Sequence, residues 1–251
     1  MYGFIGTGEI TAAIVEGLGE AKPVFVSPRG RHVAQQLAER FEHVQVCASN
    51  QEVLDNATTV VLAVRPDIVQ AVLGELHFRA EHVVISALAG VRLEQLRVWT
   101  APAQVVRAIP LPQAARRQSL TVLYPDHAAA RELFAQVGGV LTPSTEEALE
   151  VFSAATATFA AHLDYLTAIA AWMTEHGVEA GAATAYTAHI FGQLGQSLAQ
   201  HTGPLAELTG KHMTPGGLNE QFLAELRADG LPEMVRRGLD KVLTRLDLNR
   251  G

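Results

Sequence analysis

Hydrophobic residues in the first half of the chain fall in short unbroken runs, at 2–5, 24–27, 44–47, 59–63, 82–86, 105–108 and 119–124. Most are Val, Ile and Leu without polar alternation, the pattern of strands covered on both faces. Between them, 31–41, 67–76 and 127–137 carry apolar residues at helical spacing. Strand and helix in alternation predict βαβ units and an α/β fold with a doubly wound parallel sheet.

The pattern changes after Pro143. Ser144-Thr145-Glu146-Glu147 reads as a capping box, with Ser144 accepting from the Glu147 backbone N–H. No β-rich run follows. Helices are predicted at 146–175, 179–200, 204–212, 217–228 and 231–246, so an α/β domain (1–147) is followed by an all-helical one (148–251). The stretches 151–173 and 181–198 are apolar around most of their circumference, whereas a surface helix shows one polar face. A second copy of the chain is the expected cover, giving an isologous homodimer or a higher homo-oligomer. His162 and Asp164, midway along 151–173, argue against a membrane span. The apolar run 2–5 starts at once, without a basic leader, so the chain is expected to begin as structure.

Composition narrows the class. With 251 residues, 48% hydrophobic and 18% charged, the chain is neither disordered nor fibrous. Its one cysteine, Cys47, cannot form an intramolecular disulfide and reads as a small core residue; the ten histidines show no zinc spacing. A cytoplasmic protein without a metal is expected. A net charge of −7 disfavours nucleic acid as a partner, because phosphate binding needs concentrated Lys and Arg.

The strongest chemical signal is Gly3-Phe4-Ile5-Gly6-Thr7-Gly8-Glu9-Ile10-Thr11-Ala12-Ala13. A strand entering Gly6 and Gly8 and then a helix permits a tight turn and brings backbone N–H groups to a diphosphate. The third position of this fingerprint is Thr11, bulkier than the usual Gly or Ala. Beyond the second strand, Ser27-Pro28-Arg29-Gly30-Arg31 offers hydroxyl and guanidinium groups, and no acid occurs between Glu20 and Glu39. That favours the 2′-phosphate of NADP(H) over the bare ribose of NAD. Arginines at a helix start are also common as solvated charges.

Five segments together resemble the pyrroline-5-carboxylate reductase family: Phe4-Ile5-Gly6-Thr7-Gly8-Glu9-Ile10, Leu62-Ala63-Val64-Arg65-Pro66, Ile85-Ser86-Ala87-Leu88-Ala89-Gly90-Val91, Val106-Arg107-Ala108-Ile109-Pro110 and Met213-Thr214-Pro215-Gly216-Gly217. The resemblance implies a Rossmann-like NADP-binding domain, a helical dimerisation and substrate domain, and NAD(P)H-dependent reduction of a cyclic imine to proline. It also implies cofactor contacts at Gly6, Thr7, Gly8, Glu9 and Ile10. Ser27 and Arg29 would lie near the adenosine phosphate, Asn50 near a ribose, Ala63, Val64, Arg65 and Pro66 along the dinucleotide, and Ala87 and Ala89 near the nicotinamide.

The segment Thr214-Pro215-Gly216-Gly217-Leu218-Asn219 is a Pro-Gly-Gly turn entering a helix. Such a turn can gather N–H donors on a small carboxylate, and it is equally an ordinary helix break. The resemblance implies that Gly216, Gly217, Leu218 and Asn219 line the substrate. Three departures stand out. Asn219 replaces a family hydroxyl at the imine nitrogen, where its carbonyl could accept from a protonated iminium as the catalytic contact. Leu111-Pro112-Gln113 replaces a polar segment beside the nicotinamide. Ser153-Ala154-Ala155-Thr156-Ala157-Thr158-Phe159 fills space the family leaves open. Lys211 and His212 flank the turn, as a solvated cation and a helix-end histidine. Reduction of another imine or a carbonyl, and a non-catalytic NADP-binding dimer, remain open alternatives.

Overall fold

The structure is a computed structural model that describes residues 1–19 and 22–248. The chain forms two compact units, Met1–Ala154 with Leu243–Gly251, and Ala155–Val242. Each is described by itself.

The first unit is built on eight strands: β1 (Tyr2–Ile5), β2 (Val24–Val26), β3 (Val44–Val46), β4 (Thr59–Leu62), β5 (Val83–Ser86), β6 (Gln104–Ile109), β7 (Ser119–Tyr124) and β8 (Gly138–Leu141). Their order in the sheet is β3-β2-β1-β4-β5-β6-β7-β8. The chain turns from one side of β1 to the other after β3, and the switch point of an open α/β sheet is where ligands bind. The doubly wound α/β expectation holds, with one qualification: β7 pairs antiparallel with β6, and β8 runs parallel to β7. Residues 110–118 are too few for a parallel crossover, which needs about a dozen or more.

The helices are α1 (Glu9–Leu18), α2 (Arg31–Arg40), α3 (Asn50–Asn56), α4 (Val69–Gly74), α5 (Leu93–Thr100), α6 (Ala128–Ala135) and α7 (Glu146–Thr156). Alternate strand residues point to opposite faces, so the unbroken apolar runs feed two cores. Tyr2, Phe4, Val24, Val26, Val61 and Ile85 pack with Ile14, Leu37, Leu133 and Phe134 of α1, α2 and α6. Ile5, Val60, Leu62 and Val84 pack with Leu54, Leu73 and Leu96 of α3, α4 and α5. Each such side chain, fully buried, contributes roughly 1.5–3 kcal/mol.

The cap of α7 corrects the expected start. Thr145, not Ser144, supplies the accepting hydroxyl, taking the Ala148 N–H at 3.1 Å. The Glu146 carboxylate instead accepts from the Leu93 N–H at 2.8 Å and from Arg107 Nη1 at 2.8 Å. Buried Arg107 also pairs with buried Glu150 at 2.6 Å, which ties α7 to β6.

The second unit is helical, as expected: α8 (Thr158–Glu175), α9 (Ala180–Gln200), α10 (Leu205–Lys211), α11 (Leu218–Ala228) and α12 (Leu231–Leu248). α7 and α12 run from one unit into the other. The single helix expected over 146–175 is interrupted at Ala157, where the Thr158 hydroxyl donates to the Ala155 carbonyl at 2.8 Å. No helix among the described residues is long and apolar enough to cross a membrane.

Candidate active site

In the first unit, the carboxyl ends of the strands carry the predicted cofactor residues. The sheet's hydrogen bonding continues past the strands: Ser27 N donates to Phe4 O at 2.9 Å, Ala63 N to Ile5 O at 2.8 Å, and Ala87 N to Leu62 O at 2.9 Å. These bonds bring the loops after β1, β2, β4 and β5 onto one crest. Gly6 has φ +96, and a Cβ there would fall on the Ala63 carbonyl, with Val64 N only 2.9 Å away. Only glycine fits that approach.

The loop itself is braced from below. Gly6 N donates to Ser27 Oγ at 3.0 Å, Thr7 Oγ1 donates to Ser27 O at 2.9 Å, and the two hydroxyls lie 3.2 Å apart. Ser27 is completely buried and Thr7 nearly so. Ser27 was expected to offer its hydroxyl to a phosphate; the structure engages that hydroxyl in holding the turn. Thr11, flagged for its bulk, is buried and donates to Gly6 O at 2.6 Å, so its hydroxyl closes the loop. Gly30, with φ +80, lets the loop before α2 lie directly on the Thr7 carbonyl. Sequence reasoning missed both contacts; a lone glycine one step before a helix was the available signal for the second.

The exposed surface of the crest suits an anion. Gly8, the N-cap of α1, has no side-chain cap, and nothing lies within 4 Å of where its Cβ would be. The N-terminus of α1 therefore opens on free space with unsatisfied N–H groups. Glu9, Arg29, Arg65, Pro66 and Ala89 are exposed, while Ile10, Ala63, Val64 and Ala87 are half-buried. Arg65 pairs with Asp67 at 3.0 Å. Asn50, the first residue of α3, has a shielded Oδ1 with no hydrogen-bond partner. A shielded acceptor without a donor is an exception among buried polar groups. Leu111 and Pro112 lead into the short 3-10 turn between β6 and β7.

Nearby, burial and Glu52 push the Cys47 thiol up to about 11, which makes it inert near neutral pH. Among the described residues, no group of three or more His, Cys, Asp or Glu is placed to hold a metal.

In the second unit the predicted substrate residues share the start of α11. Gly216 has φ +72, and Gly217 is the N-cap, without a side-chain cap. The two expected donors are engaged within the chain: Gly216 N donates to Glu220 Oε2 at 2.6 Å, and Gly217 N donates to Thr214 O at 2.7 Å. Glu220, three residues past the N-cap Gly217, reaches back one residue further than in a capping box, to Gly216, a carboxylate position overlooked in Gly217-Leu218-Asn219-Glu220. The first N–H groups of α11, at Leu218 and Asn219, have no partner among the described residues. Asn219 Nδ2 donates to the His212 carbonyl at 3.1 Å. His212 and Asn219 line a cavity of about 1810 Å³ within this unit, with Met213 and Phe222 among its apolar walls.

A family model described as "NADP oxidoreductase coenzyme F420-dependent" matches residues 1–90. Pyrroline-5-carboxylate reductase 3 of Xenopus laevis is 30% identical, over 99% of this chain and 96% of that protein. Among solved structures, a pyrroline-5-carboxylate reductase from Coxiella burnetii superimposes with a TM-score of 0.85 at 23% identity, covering 100% of this chain and 98% of that one. Plasmodium falciparum pyrroline carboxylate reductase with NADP bound gives 0.81 at 15% identity, covering 100% and 98%. At these identities the structural matches establish the fold.

Proposed function

Since the chain belongs to the pyrroline-5-carboxylate reductase family, we propose that it reduces a cyclic imine with NADPH, and that pyrroline-5-carboxylate is converted to proline. The carrying observation is the similarity to the Xenopus reductase over nearly the full length of both chains. NADPH, when bound, supplies the hydride that adds to the C=N carbon.

The chain's own residues position the reactants. The open N-terminus of α1 at Gly8, Glu9 and Ile10 takes the diphosphate, with Gly6 and Thr7 forming the floor. Arg29 faces the 2′-phosphate, without help from the buried Ser27 hydroxyl. Asn50 Oδ1 accepts from a ribose hydroxyl. Ala63, Val64, Arg65 and Pro66 follow the dinucleotide, and Ala87 and Ala89 stand toward the nicotinamide. On the second unit, the free N–H groups of Leu218 and Asn219 hold the substrate carboxylate, because those of Gly216 and Gly217 are engaged. Asn219 Oδ1 accepts from the iminium N–H. An iminium carbon is already electrophilic, so no strong acid is needed.

The working form is a homodimer, with no nucleic acid or membrane as partner, and the single buried cysteine suits a cytoplasmic enzyme. α8 buries none of its residues and exposes Phe159, Leu163 and Trp172. The groove that Phe159 and Tyr165 of α8 line together with Phe191, Phe222 and Met234 is largely apolar, a surface that suits a second copy of the chain.

A steady-state assay tests this reading. NADPH oxidation should depend on pyrroline-5-carboxylate and yield proline; absence of turnover with it and with related cyclic imines rejects the proposal. A different imine is favoured by one observation, the Glu220 carboxylate on the Gly216 amide, and a panel of imines with and without a carboxylate separates the two.

A further inference from the structure

We propose that Asn219, held by the His212 carbonyl, selects a substrate nitrogen that carries a proton, so that the enzyme favours N–H iminium ions over N-alkylated ones. The proposal rests on the imine-reductase reading above. A side-chain amide has an acceptor oxygen and a donor nitrogen, and the surrounding hydrogen bonds decide which way each faces. Here Nδ2 donates to His212 O at 3.1 Å, whereas the opposite orientation would set two acceptors against each other. Oδ1 is thus the atom left without a partner, on a residue that lines the cavity of the second unit. A serine or threonine hydroxyl in this place could turn to donate or accept; the pinned amide oxygen only accepts. An N-alkylated iminium nitrogen, or a ketone oxygen, has no proton to give it.

In the reaction the hydride's two electrons form the new C–H bond, and the C=N π pair becomes the nitrogen lone pair. The nitrogen keeps its proton and its charge falls from +1 to zero, so no proton is exchanged with Asn219. The charge-assisted bond is therefore strongest in the iminium and weakens in the amine. Asn219 then acts chiefly on KM, with little effect on kcat.

The test compares pyrroline-5-carboxylate with its N-methylated iminium analogue, at saturating NADPH, for the wild type, Asn219→Leu and Asn219→Ser. Wild type should prefer the N–H substrate by about tenfold in kcat/KM, the range for an unpaired acceptor at an accessible site. Asn219→Leu, similar in size but unable to accept, should raise KM for the N–H substrate about tenfold, keep kcat within about twofold, and bring the preference close to one. Asn219→Ser should recover part of it. A wild-type preference near one, or one that survives intact in Asn219→Leu, overturns the inference, because size alone would then explain the discrimination. A wild type that turns over neither substrate overturns the reductase reading itself, and the inference with it.

Discussion

Two helices of this molecule begin in the same way, α1 after Gly6-Thr7-Gly8 and α11 after Pro215-Gly216-Gly217, and neither has a side-chain cap. Their neighbours make them opposites. Below α1, the hydroxyls of Thr7, Thr11 and Ser27 hold the turn from its buried side and leave the outer face open for an anion. At α11, the chain's own Glu220 carboxylate takes the Gly216 amide from the exposed side, and Asn219 is left with an unpartnered acceptor. Glycine spacing thus marks where a helix start can bind, and the adjacent side chains decide which of its N–H groups stay free to do so.

The most damaging way to break this comparison is Gly6→Ala. A methyl at φ +96 would fall on the Ala63 carbonyl and push the two crest loops apart. NADPH affinity, measured by calorimetry, should drop by about 100-fold, equivalent to roughly 2.7 kcal/mol. Gly216→Ala, where nothing lies within 4 Å, should leave NADPH affinity unchanged.

Ser27→Ala should come next. It removes the acceptor of the Gly6 N–H, a bond made by the fully buried Ser27 side chain, a loss of about 1–3 kcal/mol in chemical denaturation. NADPH binding should weaken with it, since the loop loses its brace.

Acid should separate the two units. His82 is buried in the first, with Nδ1 accepting from Arg79 N at 3.0 Å and Nε2 3.0 Å from Leu54 O, to which it donates. Burial, and then Arg79, hold its pKa below the ordinary 6.5. The unfolded chain therefore binds this proton more readily, and stability at neutral pH falls as pH drops below 6.5 toward the lowered value. His162, His189 and His212 of the second unit are exposed. Thermal melts from pH 7.5 to 5 should show a decline that His82→Gln reduces; an equal decline in that variant refutes the assignment.

The smallest effect concerns the head of α11. Glu220→Gln keeps an acceptor for the Gly216 N–H but removes the negative charge, so KM for pyrroline-5-carboxylate should fall about threefold through relief of carboxylate repulsion. KM for a carboxylate-free pyrroline should not fall.

Much of the fold was legible because parallel strands buried on both faces leave long apolar runs. Thus 2–5 and 119–124 were delimited as observed, and 59–63 and 82–86 to within one residue. What escaped was short or looked like turn: α3 has 7 residues and α5 has 8, too few for a clear period, and β8 begins on Gly138-Gly139. Adjacent hydroxyls hid the cap, since Ser144 and Thr145 differ only in where the backbone bends. In the candidate site, residue types were readable and directions were not. Ser27 lies at the end of β2 as expected, yet its hydroxyl turns under the loop, and the engagement of Gly216 by Glu220 depends on a side chain folding back.

Transfer of label from NADPH carrying deuterium at the reactive C4 position tests the central claim most directly. Incubated with pyrroline-5-carboxylate, the enzyme should produce proline with one deuterium on the carbon that had been doubly bonded to nitrogen. Unlabelled proline, or an enzyme that binds NADPH and forms no labelled amine from any cyclic imine, would contradict the account.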